Sequence, residues 1–267
     1  MILRRSSPSF HVREEDPVDE SLKRRVAVVT GSARGIGRAI ALKLAAAGAS
    51  VVVNYRRSEK EAMETAAVIE AGEQGTCLAV KADVSEEADV EDLFRTTEAR
   101  FGRLDILVNN AAIAGRRPFL EIDPPAWREM IDNDLTSVYL CCRAALPRML
   151  KAGWGRIVNI ASTSGMSGGT SGVHYAAAKG GVIALTKALG REFASRGVTV
   201  NAVVPSKIET KQLWDSLGSD AEKKALLEKI PVKRFGTPEE IAGLVLYLVS
   251  ESAGYITGET IVASGGY

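Results

Sequence analysis

The chain lacks the features that mark several classes of protein. It has only three cysteines in 267 residues, Cys77, Cys141 and Cys142, which excludes a disulfide framework and does not match the spacing of a metal site. Reduced thiols of this kind are typical of the cytoplasm, where we expect the protein to act. Aromatic residues make up 6% and the formal net charge is +1. Without a basic excess or stripe, nothing in the sequence predicts nucleic acid as a partner.

Long apolar runs are also missing. No stretch approaches the ~20 consecutive apolar residues of a membrane-spanning helix, so we expect no membrane association. Residues 1–23 lack the apolar centre of a secretory signal, and the acidic residues between positions 14 and 20 argue against an organelle-targeting peptide. We therefore predict a disordered or loosely packed arm over residues 1–23, followed by a single domain over residues 24–267.

Short apolar, β-branched runs alternate with helix-like stretches along that domain. The predicted strands lie in RVAVVT, SVVVNY, TCLAVKADV, DILVNNA, GRIVNIAS, VTVNAVVP and TIVAS. Helical patterns separate them, beginning with Ile36 to Ala47, which Gly48 ends. This alternation is typical of an α/β protein whose parallel sheet is covered by helices on both faces.

The first predicted strand runs directly into the glycine-rich segment TGSARGIG. Glycines at a strand-to-helix junction allow positive φ and let the backbone approach a pyrophosphate, while the following helix N-terminus attracts its charge. A purely structural turn is the alternative, because a glycine pattern alone is weak; the strand before it and the helix after it favour a dinucleotide site. The predicted cofactor contacts here are Gly31, Ser32, Arg34, Gly35, Ile36 and Gly37.

The second strand ends in a segment that selects between NAD and NADP. NAD-binding folds usually place an acidic residue there for the ribose 2′-hydroxyl, but this chain has Tyr55, Arg56 and Arg57. A guanidinium binds a 2′-phosphate through charge-assisted hydrogen bonds. We therefore predict NADP as cofactor, with NAD less favoured; the alternative is that the arginines only solvate a loop.

Further motifs follow in one order: Asp83-Val84, Asn109-Asn110-Ala111, Ser162 and Tyr175-Ala-Ala-Ala-Lys179. The ordered set resembles the short-chain dehydrogenase/reductase family from about residue 24 to the C-terminus. The segment from Ile230 to Gly266 looks most like the 3-oxoacyl-carrier-protein reductases and glucose dehydrogenases. The resemblance implies a doubly wound Rossmann sheet, an NAD(P) cofactor and a homotetramer. It also implies cofactor contacts at Asp83, Val84, Asn110, Ala111, Ala112, Pro205, Ile208, Thr210, Tyr175 and Lys179.

Tyr175 and Lys179 are four positions apart, which places both side chains on one face of a helix. A free tyrosine titrates near pH 10, and a nearby ammonium favours the phenolate, so Tyr175 can serve as general acid or base. Without its context, a Tyr-x-x-x-Lys pattern would be an ordinary surface pair. His174 is its neighbour in sequence, and we expect it to be a bystander because adjacent helix residues face different ways.

Ser162 ends the fifth predicted strand, where doubly wound sheets bind ligands. It precedes Tyr175 by thirteen positions, the interval usual in the family, and its hydroxyl can stabilise charge on a substrate oxygen. Thr163 and Ser164 are the alternatives for this role.

The fourth catalytic position departs from the family pattern. Relatives have an asparagine where this chain has Asp134, and Asn133 lies one residue earlier. A carboxylate there would place negative charge near Lys179 and partly cancel its effect on Tyr175. Ala112 and Ser206 likewise stand where glycine is usual.

The sequence as a whole predicts an NADP-dependent oxidoreductase that transfers a hydride between nicotinamide and a carbonyl or alcohol carbon. Its small-molecule substrate would be a 3-oxoacyl thioester, a sugar or a small ketone, with Tyr175 as the proton-transferring residue. A protein that binds NADP(H) for regulation, with little turnover, is the alternative; Asp134 alone favours it, while Ser162, Tyr175 and Lys179 oppose it.

Overall fold

The computed structural model describes residues 22–72, 75–169 and 171–267. Positions 1–21 of the predicted arm lie outside the described residues, whereas Leu22 is already buried in the core at 1% exposure. Each apolar run predicted to be a strand forms one. The strands are β1 (Val26–Val29), β2 (Ser50–Tyr55), β3 (Cys77–Lys81), β4 (Ile106–Asn109), β5 (Gly155–Ile160), β6 (Val198–Pro205) and β7 (Thr260–Ala263).

All neighbouring strands are parallel, in the order β3-β2-β1-β4-β5-β6-β7. The predicted doubly wound α/β sheet is therefore confirmed. Parallel strands need crossover connections, which these helices provide: α1 (Gly35–Ala46), α2 (Glu59–Glu70), α3 (Glu87–Phe101), α4 (Pro124–Ile131), α5 (Ser137–Ala152), α6 (Ser164–Ser167), α7 (Val173–Phe193), α8 (Lys211–Ser216), α9 (Asp220–Lys229) and α10 (Pro238–Val249). A π-helical turn, Asp132–Thr136, joins α4 to α5.

The sheet separates two apolar cores. One core packs α1, α2 and α10 against one face, and the other packs α3, α5 and α7 against the opposite face. Strands buried on both faces read as continuous apolar runs. The run VAVV of β1, which has no exposed residue, is one of them. Among the described residues, no helix is both long and apolar enough to cross a membrane.

The strand order reverses direction between β1 and β4. In open parallel sheets the crevice outside the carboxyl ends of such strands is where ligands bind. The turn after β1 is tied to β4 there, since Thr30 N donates to Val108 O at 3.0 Å. The glycine-rich segment begins at this point, so the fold places it at the crevice.

Candidate active site

The glycine-rich loop needs its glycines for two different reasons. Gly31 and Gly35 have φ of +61° and +58°, a conformation that side chains disfavour. A Cβ on Gly37 would lie 2.6 Å from Gly31 O, and one on Gly31 would lie 2.8 Å from Ala111 Cα. The loop is therefore folded tightly onto itself and onto the end of β4, as a cradle for a phosphate requires.

Side chains from two strand ends hold the loop in place. Asn110 donates from Nδ2 to Thr30 O at 2.9 Å and to Gly31 O at 3.1 Å. Asn54 accepts from Gly31 N at 3.1 Å. Ser32 is fully buried, and its hydroxyl donates to Val29 O at 2.6 Å. Asn110 and Ser32, both predicted to contact the cofactor, thus also serve to shape the loop.

The N-terminus of α1 is available to an anion. Its N-cap residue is Arg34, no side chain caps it, and its first turn contains no acidic residue. Unsatisfied N–H groups and a positive helix end attract phosphate. Together with the close-packed glycines, this end of α1 fits the pyrophosphate of a dinucleotide.

The three arginines near the predicted ribose site differ in their surroundings. Arg34 and Arg57 are exposed, whereas Arg56 is partly buried. Arg56 Nη1 donates to Asn133 Oδ1 at 2.8 Å and to Asp83 Oδ2 at 3.2 Å. Although burial opposes it, hydrogen bonds from Ser85 and from Arg56 lower the pKa of Asp83. Asp83 therefore remains ionised at neutral pH and holds Arg56 at the end of β2.

Other predicted contact residues lie around the same crevice. Thr210 caps α8 by accepting from Leu213 N at 3.3 Å, and its Cγ2 lies 3.7 Å from the position of a Cβ on Gly35. The segment after β6 is therefore close to the glycine loop. Val84, Pro205, Ile208 and Tyr55 are buried, while Ala112 is exposed.

Tyr175 and Lys179 lie on the first turns of α7, and both belong to one face of it. Lys179 Nζ is 5.7 Å from the centroid of the Tyr175 ring. The lysine is 2% exposed, and its Nζ donates to Ile160 O at 3.3 Å, at the end of β5. Ser162 follows two residues later, so strand β5 and helix α7 bring the predicted serine, tyrosine and lysine to one region.

Asp134 lies within the π-helical turn and is fully buried. Its Oδ1 accepts from Ile113 N at 2.8 Å, and its Oδ2 is 3.3 Å from Lys179 Nζ. The second contact lacks hydrogen-bond geometry, so it is an electrostatic pair. Burial raises the pKa of Asp134, whereas Lys179 and the Ile113 N–H lower it. Local π-helical turns often occur at functional sites.

Two hydrogen-bonding residues near the site were not predicted to have a role there. Asn159 on β5 accepts from Asn109 on β4 at 2.8 Å and donates to Thr186 on α7 at 2.9 Å. This buried chain fixes α7 against the sheet. The available signal was an asparagine among the apolar residues Ile157, Val158 and Ile160, since a buried amide needs partners.

The other residue is His174, which was expected to be a bystander. It is 2% exposed and its Nδ1 accepts from Tyr175 N at 2.9 Å. The prediction that it faces differently from Tyr175 did not consider a contact between its ring and the main chain. Among the described residues, no cluster of three or more His, Cys, Asp or Glu side chains could hold a metal ion.

The chain is similar to known proteins over most of its length. The family model described as "Enoyl-(Acyl carrier protein) reductase" matches residues 31–267. A 3-oxoacyl-[acyl-carrier-protein] reductase of Synechocystis is 44% identical over 92% of this chain and 98% of its own length. The Staphylococcus aureus protein of the same name is 42% identical over 90% and 96%.

Solved structures show the same fold over nearly the whole chain. Levodione reductase superposes with a TM-score of 0.87 at 32% identity, covering 92% of this chain and 98% of that one. A putative short-chain alcohol dehydrogenase from Sinorhizobium meliloti gives 0.86 at 36% identity, covering 94% and 98%. The chain belongs to the short-chain dehydrogenase/reductase family. It is an oxidoreductase that acts on carbonyl or alcohol groups with a nicotinamide cofactor, and the regulatory alternative is not supported.

Proposed function

We propose that this protein is an NADP(H)-dependent reductase of 3-oxoacyl thioesters, with Tyr175 as general acid. The observation that carries the proposal is the placement of Tyr175 and buried Lys179 on one face of α7, against the end of β5 that leads to Ser162. The names of the curated relatives support the substrate class.

Each residue has a distinct role in this proposal. The bound nicotinamide supplies the hydride. Ser162 hydrogen-bonds the substrate carbonyl oxygen, which localises the charge that develops there. Tyr175 donates its phenolic proton to the same oxygen. Lys179 stabilises the phenolate that remains and binds the ribose hydroxyls, while Asp134 holds the lysine in position.

Three arginines and the missing acid support NADP over NAD. No carboxylate stands at positions 55–57, and Arg34, Arg56 and Arg57 belong to the two segments that border the predicted ribose site. An acidic residue would repel the 2′-phosphate, whereas guanidinium groups bind it. We also propose a cytoplasmic location, which the free and buried thiols of Cys77, Cys141 and Cys142 support.

A substrate panel tests the substrate class. NADPH consumption is followed with acetoacetyl thioesters and with cyclic diketones, and NADPH formation is followed with sugars and NADP. The proposal expects the highest kcat/KM with the 3-oxoacyl thioester. A preference for a sugar or a cyclic ketone would assign the protein to another substrate class within the same family.

Asp134→Asn is expected to increase alcohol oxidation near neutral pH and to move its pH profile towards lower pH. The carboxylate opposes the negative charge on the Tyr175 phenolate and draws the Lys179 ammonium to itself at 3.3 Å. Oxidation starts from the phenolate and reduction from the phenol, so oxidation is affected more.

The difference between the two proteins should itself depend on pH. Asp134 exerts its charge only when ionised, so the effect is present above its pKa and is lost as pH falls through it. Because burial raises that pKa, the profiles should converge at a higher pH than an exposed aspartate would give. An unchanged or alkaline-shifted oxidation profile in Asp134→Asn would contradict this role and leave Asp134 as a main-chain support only.

We also propose a homotetramer, on the basis of family resemblance and of apolar surface on α5 and α7. Most apolar residues of α5 pack inside the subunit, but Tyr139 on α5 and Val173 on α7 remain 47% and 46% exposed. Strand β7 is the outermost strand of the sheet, and Val262 on it is 44% exposed. Light scattering at micromolar concentration should give four times the 28.5 kDa chain mass; a monomer mass would reject the tetramer.

A further inference from the structure

We propose that His174 is a positioning residue of the active site, whose buried imidazole caps the first turn of α7 and thereby fixes the main chain at Tyr175. The inference rests on the proposed role of Tyr175 as proton donor. His174 itself contacts the main chain of Tyr175 and acts through it.

Among the described residues, the Tyr175 N–H at the N-terminus of α7 has no other hydrogen-bond acceptor. The N-cap residue of α7, Gly172, has no side chain to accept a hydrogen bond. A helix leaves its first N–H groups without main-chain partners, and Tyr175 N–H is one of them. His174 Nδ1 accepts it at 2.9 Å. Because the ring is 2% exposed, water has little access to replace that acceptor.

The surroundings of the ring fix its orientation. A Cβ on Gly172 would lie 2.8 Å from His174 Cε1 and 3.0 Å from Nδ1, and the residue has φ of +97°. The ring is therefore folded back over Gly172, in space that only glycine leaves open. An accepting Nδ1 places the proton of the neutral imidazole on Nε2.

The position of this cap matters because Tyr175 carries both the capped N–H and the phenol that donates the proton. The main chain at Tyr175 sets where its phenol lies relative to Ser162 and Lys179. A loss of the His174 hydrogen bond would therefore alter the geometry of proton transfer.

Matched variants separate the capping atom from the rest of the ring. His174→Asn places Oδ1 where Nδ1 stands and keeps the acceptor. His174→Leu removes every acceptor at similar size, and His174→Gln places its amide near Nε2 instead. For each variant, kcat, the dissociation constant for NADPH and the thermal unfolding midpoint are measured with the best substrate of the panel.

We expect His174→Leu and His174→Gln to lower kcat about ten-fold or more, since small displacements of a reacting group have effects of that order. The affinity for NADPH should change by less than about two-fold, because the cap lies at the proton donor. His174→Asn should recover most of the lost kcat. If His174→Leu does not fold, the comparison of Asn with Gln carries the same test.

Two results would overturn the inference: wild-type kcat in the Leu or Gln variant, or an Asn variant as slow as the Leu variant. Tyr175→Phe is measured in parallel to distinguish this outcome from failure of the proposed function. An active Tyr175→Phe rejects the role of Tyr175 and the inference with it. An inactive Tyr175→Phe beside a fully active His174→Leu rejects the role of His174 alone.

Discussion

Replacing Tyr175 by phenylalanine is expected to lower turnover by a factor on the order of a hundred or more, which is the contribution of a general acid. The change removes one oxygen and keeps the ring, so the packing of α7 is retained. Lys179 remains buried and bound to Ile160 O. Binding of NADPH should therefore be largely unaffected, and the loss should appear in kcat.

Single-turnover and steady-state rates with the best ketone substrate measure this effect, together with the dissociation constant for NADPH. Tyr247→Phe on α10 is a matched control, because Tyr247 is 47% exposed on a helix that packs against α1. The control should behave as wild type. Turnover that survives in Tyr175→Phe would show that another group supplies the proton.

Replacing Arg56 and Arg57 by alanine is the second large effect that we expect. NADPH should bind weaker by at least about one to two orders of magnitude, since the loss of even one charge-assisted hydrogen bond to a phosphate costs on the order of 1.5–3 kcal/mol. Affinity for NADH should change little, because NADH carries no 2′-phosphate. The wild-type protein should accordingly prefer NADPH.

The two single variants distinguish the loss of phosphate binding from the loss of contacts within the protein. Arg56 also bonds Asp83 and Asn133, so Arg56→Ala affects the end of β3 and the turn that carries Asp134. Arg57 is exposed, which makes Arg57→Ala the cleaner test of phosphate binding. Lys43→Ala, at the opposite end of α1, removes one exposed charge as a control. Equal affinities for NADPH and NADH in the wild type would contradict the NADP assignment.

The sequence predicted the sheet well because its strands are buried on both faces. Val51, Val52 and Val53 follow one another on β2 without exposure, and such runs are recognisable without knowledge of the fold. The glycine loop was equally predictable from the sequence, because positive φ and close packing leave glycine as the only choice at position 31.

The contacts that organise the site were harder to predict from the sequence. The hydrogen bond from Arg56 to Asn133 joins residues 77 positions apart, and nothing in either local pattern indicates it. Asp134 was expected to place its charge near Lys179. The structure shows that Oδ2 lies near Lys179 and that Oδ1 accepts from the main chain at Ile113.

His174 shows a different limit of sequence reasoning. Helical periodicity describes the direction of side chains and predicts that those of His174 and Tyr175 point different ways. It does not describe a ring that turns back to the main chain at a helix N-terminus, because that contact depends on the conformation of Gly172 before the helix begins.

The central claim, that this protein reduces a ketone by hydride transfer with proton donation from Tyr175, is tested most directly by isotope transfer. Acetoacetyl thioester is incubated with NADPH deuterated at the transferred position, and the product is examined by mass spectrometry. The account predicts one deuterium on the former carbonyl carbon with the wild-type protein, and product formation on the order of a hundred-fold slower with Tyr175→Phe. Product without deuterium, or equal rates for the two proteins, would contradict it.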